Sequence, residues 1–264
     1  MAPLRAMYVD LDNTLLGRGA SLLHDGEGKV TNLGFRAIEA CHRADVEVVV
    51  MSGRRRAQVA EDARLLGCRA YIFEAGAAVV DGPDEEWLTE PYMPDEGTTI
   101  NEQVEATGAP RLLLDTFAGA LEYHDPWHRN RDVSHLFRGD IDARDADALL
   151  QEHGHEELRL VDNGAIDRPG MRAFHLLPRG VSKGRAVARH MRVRGLAPEQ
   201  CIAVGDSRED LTAAEAVGTF WLVANALDRD PLLVSALPRN ARVAEASHGA
   251  GVYEAVVTEL AERR

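Results

Sequence analysis

Five short apolar runs constrain this chain most: "AMYVD" (6–10), "VEVVVM" (46–51), "AYIF" (70–73), "CIAVGD" (201–206) and "TFWLVA" (219–224). They are rich in β-branched or aromatic residues, and most lack the polar/apolar alternation of a half-exposed strand. That pattern suits strands buried on both faces. Helical patterns lie between them at 32–44, 54–67, 183–195 and 208–218, several of them ending in glycine, a usual helix stop. Residues 251–262 read as a closing amphipathic helix. Strand alternating with helix predicts an α/β fold with a doubly wound parallel sheet.

The alternation fails in the middle of the chain, where turn residues are dense ("DGPDEE", "EPYMPDEG", "DNGAIDRPG"). Within this stretch the patterns predict helices at 110–122 and 143–153, and strands near 133–139, 157–162 and 171–177. A smaller α+β domain inserted into the α/β core accounts for this. The expected organisation is core at 1–81, insertion at 82–172 and core again at 173–264, which 264 residues can supply with separate hydrophobic centres.

The net charge of −13, without a long Lys/Arg run, argues against nucleic acid or an acidic membrane as partner. No apolar stretch approaches membrane-spanning length. Cys41, Cys68 and Cys201 form no zinc spacing, and their odd number suits a reducing compartment. With an opening too short and too soon acidic for a signal peptide, the expected location is cytoplasmic. Of 30 basic residues only Lys29 and Lys183 are lysine. Arginine is the default cation here, so a lysine is a departure with chemical meaning.

In an open α/β sheet, ligands sit beyond the carboxyl ends of the strands. Four polar clusters fall at that edge: Asp10-Leu11-Asp12-Asn13-Thr14, Met51-Ser52-Gly53-Arg54, Gly205-Asp206-Ser207 with Asp210 one helical turn on, and Lys183 at a helix start. Together they fit phosphoryl transfer through a covalent aspartyl phosphate. Asp10 and Asp12, two apart in extended chain, point to the same side. One attacks phosphorus and the other handles the leaving-group proton. A Mg²⁺ ion held by Asp10 and Asp206 offsets the crowded negative charge. Lys183 adds a cation, while Ser52 and the N–H groups after it donate to phosphate oxygens. Like-charged neighbours are expected to raise the pKa of Asp12.

"DLDNTL", "MSGR", "VSKG" and "VGDSRED" resemble, in order, the four motifs of the haloacid dehalogenase (HAD) superfamily of phosphatases. The long interval between Ser52 and Lys183 places the insertion where type II caps occur. "EAGAAVV", "GVSKG" and "VANA" are similar to the type IIB, or Cof-like, subgroup. The resemblance implies a Rossmann-like core with a cap, Asp10 as nucleophile and Asp12 as general acid/base and metal ligand through its carbonyl. It further implies Asp206 as a metal ligand, Asp210 supporting the metal, and Thr14, Ser52, Gly53, Arg54 and Lys183 around the phosphate. Two positions depart from the pattern: Glu209 stands where asparagine is usual, and Asn13 where glycine is usual. A glutamate there cannot donate to phosphate but can orient Lys183.

The substrate expected is a small phosphorylated metabolite, a sugar phosphate or related phosphomonoester. A phosphomutase and a non-catalytic sugar-phosphate-binding protein are the alternatives. In the cap, His124, His128 and His135 have no standard zinc spacing and read as surface or substrate-facing groups. Trp127 and Arg138 are candidates for contact with substrate across the cleft. Neither the substrate's identity nor monomer against homodimer is encoded in a recognisable motif.

Overall fold

The computed structural model describes residues 2–166 and 170–263. Its strands are β1 (Ala6–Val9), β2 (Glu47–Met51), β3 (Ala70–Phe73), β4 (Ala78–Asp81), β5 (Asp84–Trp87), β6 (Leu121–Tyr123), β7 (His135–Gly139), β8 (Leu158–Ala165), β9 (Arg172–Pro178), β10 (Cys201–Gly205), β11 (Thr219–Leu222) and β12 (Ala241–Val243). The helices are α1 (Leu33–Arg43), α2 (Arg56–Leu66), α3 (Ile100–Ala106), α4 (Ala109–Thr116), α5 (Ala143–Glu152), α6 (Lys183–Arg194), α7 (Arg208–Leu211), α8 (Asn225–Arg229), α9 (Leu233–Ala236) and α10 (His248–Glu262). Among the described residues none is long and apolar enough to cross a membrane.

Eight strands form the core sheet in the order β12-β11-β10-β1-β2-β3-β4-β5. The six from β12 to β3 are parallel, and β4 and β5 extend the sheet as an antiparallel hairpin. The central strands are buried on both faces, which explains their unbroken apolar runs. Met7 and Val9 of β1 pack with Ile38 of α1 and Val252 of α10 on one side of the sheet. Ala6 and Tyr8 pack with Val187 and Met191 of α6 on the other. Because β1 lies between β2 and β10, the loops after these three strands open at one edge, where the chain reverses its direction of sheet growth. The second sheet, β6-β7-β9-β8, is antiparallel and closes over α3, α4 and α5 around Phe137, Leu150 and Phe174. The architecture is thus an α/β core with an inserted α+β cap.

Sheet membership moves the domain edges away from the expected 81/82 and 172/173. Strand β5 still pairs with β4 in the core sheet, and β9 still pairs with β7 and β8 in the cap. Three of the four β5 residues are acidic (Asp84, Glu85, Glu86), which hides the strand in a hydrophobicity reading. They belong to an edge strand protected by charge, where Glu85 and Glu86 pair with Arg56 and Arg189. The "DRPG" turn expected to close the insertion includes 167–169, outside the described residues.

Two expected helices are shorter. The one at 110–122 stops at Thr116; Gly119, at φ 84°, turns the chain, and 121–123 is strand β6. The one at 208–218 ends as α-helix at Leu211 and continues as a 3₁₀ turn over Thr212–Glu215. Thr212 accepts from the Gly184 N–H at 2.9 Å, and a Cβ on Gly184 would lie 2.2 Å from the Thr212 carbonyl. That close approach of the start of α6 to the end of α7 leaves no room for a side chain at 184 and fixes Lys183 beside α7.

One buried polar pair in the core carries a pH signature. Tyr8 OH and His190 Nδ1 are 2.8 Å apart, and His190 Nε2 is buried without a partner. Burial lowers the His190 pKa to about 4. Between about 4 and the ordinary histidine value the unfolded chain binds the extra proton, so the His190 contribution to stability falls as pH falls through that window. The shift corresponds to roughly 3 kcal/mol. Urea unfolding of wild type and His190→Gln at pH 7 and pH 4.5 tests this. The wild type is expected to lose more stability than the variant on acidification, and equal losses would contradict it.

Candidate active site

Asp10 follows β1 directly, and its N–H donates to the Val204 carbonyl of β10 at 3.0 Å, so the pairing of β1 with β10 sets its position. Lys183, the first residue of α6, is buried and donates from Nζ to Asp10 Oδ1 and Asp210 Oδ1, both at 2.6 Å. A cation at a helix start opposes the helix dipole, and burial disfavours its charge. The Asp10 and Asp210 carboxylates overcome both and raise the ammonium's pKa. Asp210 is fully engaged: its other oxygen accepts from the N–H groups of Asp206 and Ser207 and from Ser207 Oγ. It holds the Asp206-Ser207 turn at the end of β10 as well as Lys183.

Carboxylate oxygens of Asp10, Asp206 and Asp210 lie within 4.8 Å of one another. Burial raises the pKa of Asp10, with Asp210 and Asp206 adding to the effect and Lys183 opposing it. Asp206 is also raised by burial and by Asp210, against the pull of Arg229 and Lys183. Negative charge thus exceeds what one ammonium neutralises. An all-oxygen donor set with surplus negative charge fits a hard divalent cation such as Mg²⁺. Thr14 is buried and donates to Asp206 Oδ1 at 3.1 Å, joining the first loop to the third.

The like-charge crowding expected at Asp12 falls instead on Asp10 and Asp206. The Asp12 side chain is 47% exposed and is gripped by Arg54, whose Nη2 and Nε donate to its two oxygens at 2.6 and 2.7 Å. Arg54 Nη1 in turn donates to Asp62 of α2 at 2.8 Å. The guanidinium expected near phosphate is therefore committed to holding Asp12. Asn13 has φ 65°, a left-handed conformation that asparagine tolerates better than other side-chain-bearing residues. Its carbonyl accepts from Asn225 Nδ2 at 2.8 Å, and Asn225 Oδ1 accepts from the His248 N–H. The departure from glycine at 13 thus has a conformational reason.

Ser52 is buried at the end of β2, and its Oγ accepts from the Arg54 N–H at 3.2 Å. Among the described residues the Gly53 N–H has no hydrogen-bond partner. Glu209 accepts from the main-chain N–H of Lys183 at 3.2 Å and faces Arg159 of β8 at 3.3 Å. It orients Lys183 through the backbone and ties the core to the cap.

A second tie was not expected. Glu74, after β3, is fully buried; it accepts from the N–H groups of Asp132, Val133 and Ser134 and from Ser134 Oγ. Arg131 lies 3.9 Å from Glu74 and donates to the Gly53 carbonyl at 3.0 Å. A carboxylate ending an apolar strand was the available sequence signal, but its partners are about 60 residues away. The cap residues singled out from sequence lie elsewhere. His135 is buried with Nε2 at 3.0 Å from the Asn101 carbonyl, Arg138 pairs with Glu122, and His128 stacks on Tyr123. Trp127 is half exposed, its carbonyl accepting from Arg131. Through Arg131 the Trp127 carbonyl is linked to the Gly53 carbonyl, while Arg138 is engaged by Glu122.

A family model for haloacid dehalogenase-like hydrolases matches residues 117–230. Over that stretch the chain is similar to the haloacid dehalogenase-like hydrolases. The polar clusters after β1, β2 and β10 and Lys183 at the start of α6 lie at one sheet edge, with the antiparallel sheet between β2 and α6 in the chain. The chain is 28% identical to a phosphoglycolate phosphatase of Methanoculleus marisnigri over 256 residues, 96% of this chain and 95% of the relative. A phosphoglycolate phosphatase of Halorubrum lacusprofundi is 29% identical over 202 residues, covering 74% and 78%. Among solved structures, the sucrose-phosphatase of Synechocystis in complex with sucrose and phosphate superposes with a TM-score of 0.65 at 20% identity, covering 98% of both chains. A haloacid dehalogenase-like hydrolase of Bacteroides thetaiotaomicron gives a TM-score of 0.63 at 14% identity, covering 97% and 99%. The last two speak for the fold.

Replacing Glu74 tests the tie between core and cap. Glu74→Ala orphans two buried N–H groups and one part-buried one, and leaves Arg131 without its counter-charge. It is expected to lower the free energy of unfolding by about 3 kcal/mol. A loss under about 1 kcal/mol in urea unfolding would mean the cap is held elsewhere.

Proposed function

We propose that this protein is a Mg²⁺-dependent phosphatase that hydrolyses a small phosphomonoester through an aspartyl phosphate on Asp10. The observation that carries the reading is the convergence of Asp10, Asp206 and Asp210 with the Lys183 ammonium at the carboxyl edge of a parallel sheet. The phosphoglycolate phosphatases similar to this chain over most of its length support the same reaction class.

Asp10 and Asp206 would hold the cation, with Asp210 behind them and the main-chain carbonyl of Asp12 as a further ligand. When bound, Mg²⁺ supplies positive charge to the phosphate and offsets the carboxylates around it. The remaining chemistry belongs to the chain. Asp10 attacks phosphorus; the P–O bond to the leaving group breaks as the Asp10–phosphorus bond forms. Lys183, Ser52 and the Gly53 N–H donate to the phosphoryl oxygens, where negative charge is densest in the transition state. Asp12 in its protonated form gives its proton to the departing alkoxide. It then takes a proton from the water that attacks phosphorus and releases Asp10. Arg54, braced by Asp62, keeps the Asp12 carboxyl at a fixed place between these two transfers.

The assay is release of inorganic phosphate from p-nitrophenyl phosphate. Wild-type activity is expected to vanish on chelation and return with Mg²⁺. Asp10→Asn is expected to retain less than about a thousandth of wild-type turnover. Turnover by Asp10→Asn at even about a tenth of the wild-type rate would remove Asp10 from this role.

A further inference from the structure

The cap sits directly on the phosphate-side turn of the core. A Cβ on Gly53 would lie 3.0 Å from both His175 Nε2 and Asn163 Nδ2. His175 is a buried residue in the middle of β9, and Asn163 lies on the neighbouring β8. The protonation of the His175 ring follows from its neighbours. Ser134 has one hydroxyl proton, which it gives to Glu74 at 2.9 Å. Ser134 Oγ therefore accepts from Arg131 Nη1 and from His175 Nδ1, each at 3.1 Å. With Nδ1 carrying the proton, Nε2 is left as a bare lone pair aimed at the Gly53 turn. Burial and the nearby Arg131, Lys183 and His124 hold the ring well below the ordinary histidine pKa, so it stays neutral. Among the described residues, neither His175 Nε2 nor the Asn163 carboxamide has a hydrogen-bond partner.

The cations along the same seam are committed. Arg54 holds Asp12 and Asp62, while Arg131 holds Gly53 and Ser134 beside Glu74. Arg159 faces Glu209, Arg172 pairs with Asp162 at 2.6 Å, and Arg229 faces Asp206 at 3.9 Å. A substrate carboxylate entering at Gly53 meets a lone pair and an amide, and Arg55, the remaining cation of that turn, is engaged by Gln58 Oε1 and the Arg129 carbonyl. A hydroxyl meets an acceptor that lacks a proton and an amide that both donates and accepts.

We infer that His175 and Asn163 form the specificity face of the cap, reading a hydroxyl on the leaving group, so that the substrate is a phosphomonoester of a polyol or sugar rather than of a simple carboxylic acid. This rests on the phosphatase reading above. His175 and Asn163 are specificity residues and take no proton in the reaction. A site built to hydrogen-bond a hydroxyl discriminates strongly against analogues that lack one, because its buried polar atoms are then left unpaired.

The test is kcat/KM of the full chain with Mg²⁺ on glycerol 3-phosphate, a hexose 6-phosphate, 2-phosphoglycolate and p-nitrophenyl phosphate. At least one hydroxylated ester is expected to exceed 2-phosphoglycolate by roughly tenfold or more. In Asn163→Ala and His175→Phe, the ratio of kcat/KM on that ester to kcat/KM on p-nitrophenyl phosphate is expected to fall by about tenfold or more. Preference of the wild type for 2-phosphoglycolate would overturn the inference while leaving the phosphatase reading standing, and this arm needs no variant to fold. An unchanged ratio in both variants would also overturn it. No phosphate release from any of the four esters would defeat the phosphatase reading, and the inference with it.

Discussion

The structure turns on a buried ammonium. Lys183 sits buried between Asp10 and Asp210, and each neighbouring choice follows from that. A carboxylate pair close enough to hold it must itself be buried, which raises the Asp10 carboxyl. Asp210 can approach only because α6 and α7 meet at Gly184 and Thr212, where no side chain fits. The turn after β10 is then fixed by the second oxygen of Asp210, and Asp206 is delivered next to Asp10. Breaking one member of such a set leaves an uncompensated charge in low dielectric, costing several kcal/mol. The same arrangement is poised for a dianionic ligand with a divalent cation, which would complete the charge balance.

A second buried carboxylate organises the approach to that centre. Glu74 gathers three consecutive main-chain N–H groups of the cap and the Ser134 hydroxyl. Through Ser134 it sets which nitrogen of His175 carries the proton. The tie that fastens the cap thus also determines the hydrogen-bonding character of the surface above Gly53. Fastening and recognition are one network, with Arg131 reaching from it to the Gly53 carbonyl.

Much of this is visible in the chain before folding. The unbroken apolar runs announce strands buried on both faces, and the polar residues closing them fall at one sheet edge for topological reasons. The single lysine at a helix start stands out against an arginine background. Other features depend on distance in sequence. Glu85 and Glu86 look like a loop until their pairing with β4 and their arginine partners show a protected edge strand. Asp12 reads as a crowded carboxylate because its neighbour Asp10 is visible and Arg54, 42 residues on, is not obviously aimed at it. His175 is a lone polar residue in an apolar cap strand, and only Ser134 and Gly53 give it meaning. His124, His128 and His135 lie closer together in sequence and are the more conspicuous group, yet His135 serves the interior of the cap.

The covalent step is the core of the account, and it can be caught chemically. Quenching the enzyme during turnover and reducing it with borohydride converts an acyl phosphate to an alcohol. Tandem mass spectrometry of the tryptic peptide from Ala6 to Arg18, which carries both Asp10 and Asp12, then locates the change. The account predicts homoserine at position 10 and aspartate at position 12, dependent on substrate and Mg²⁺. Homoserine at 12, or an unmodified peptide from enzyme that is releasing phosphate, would contradict it.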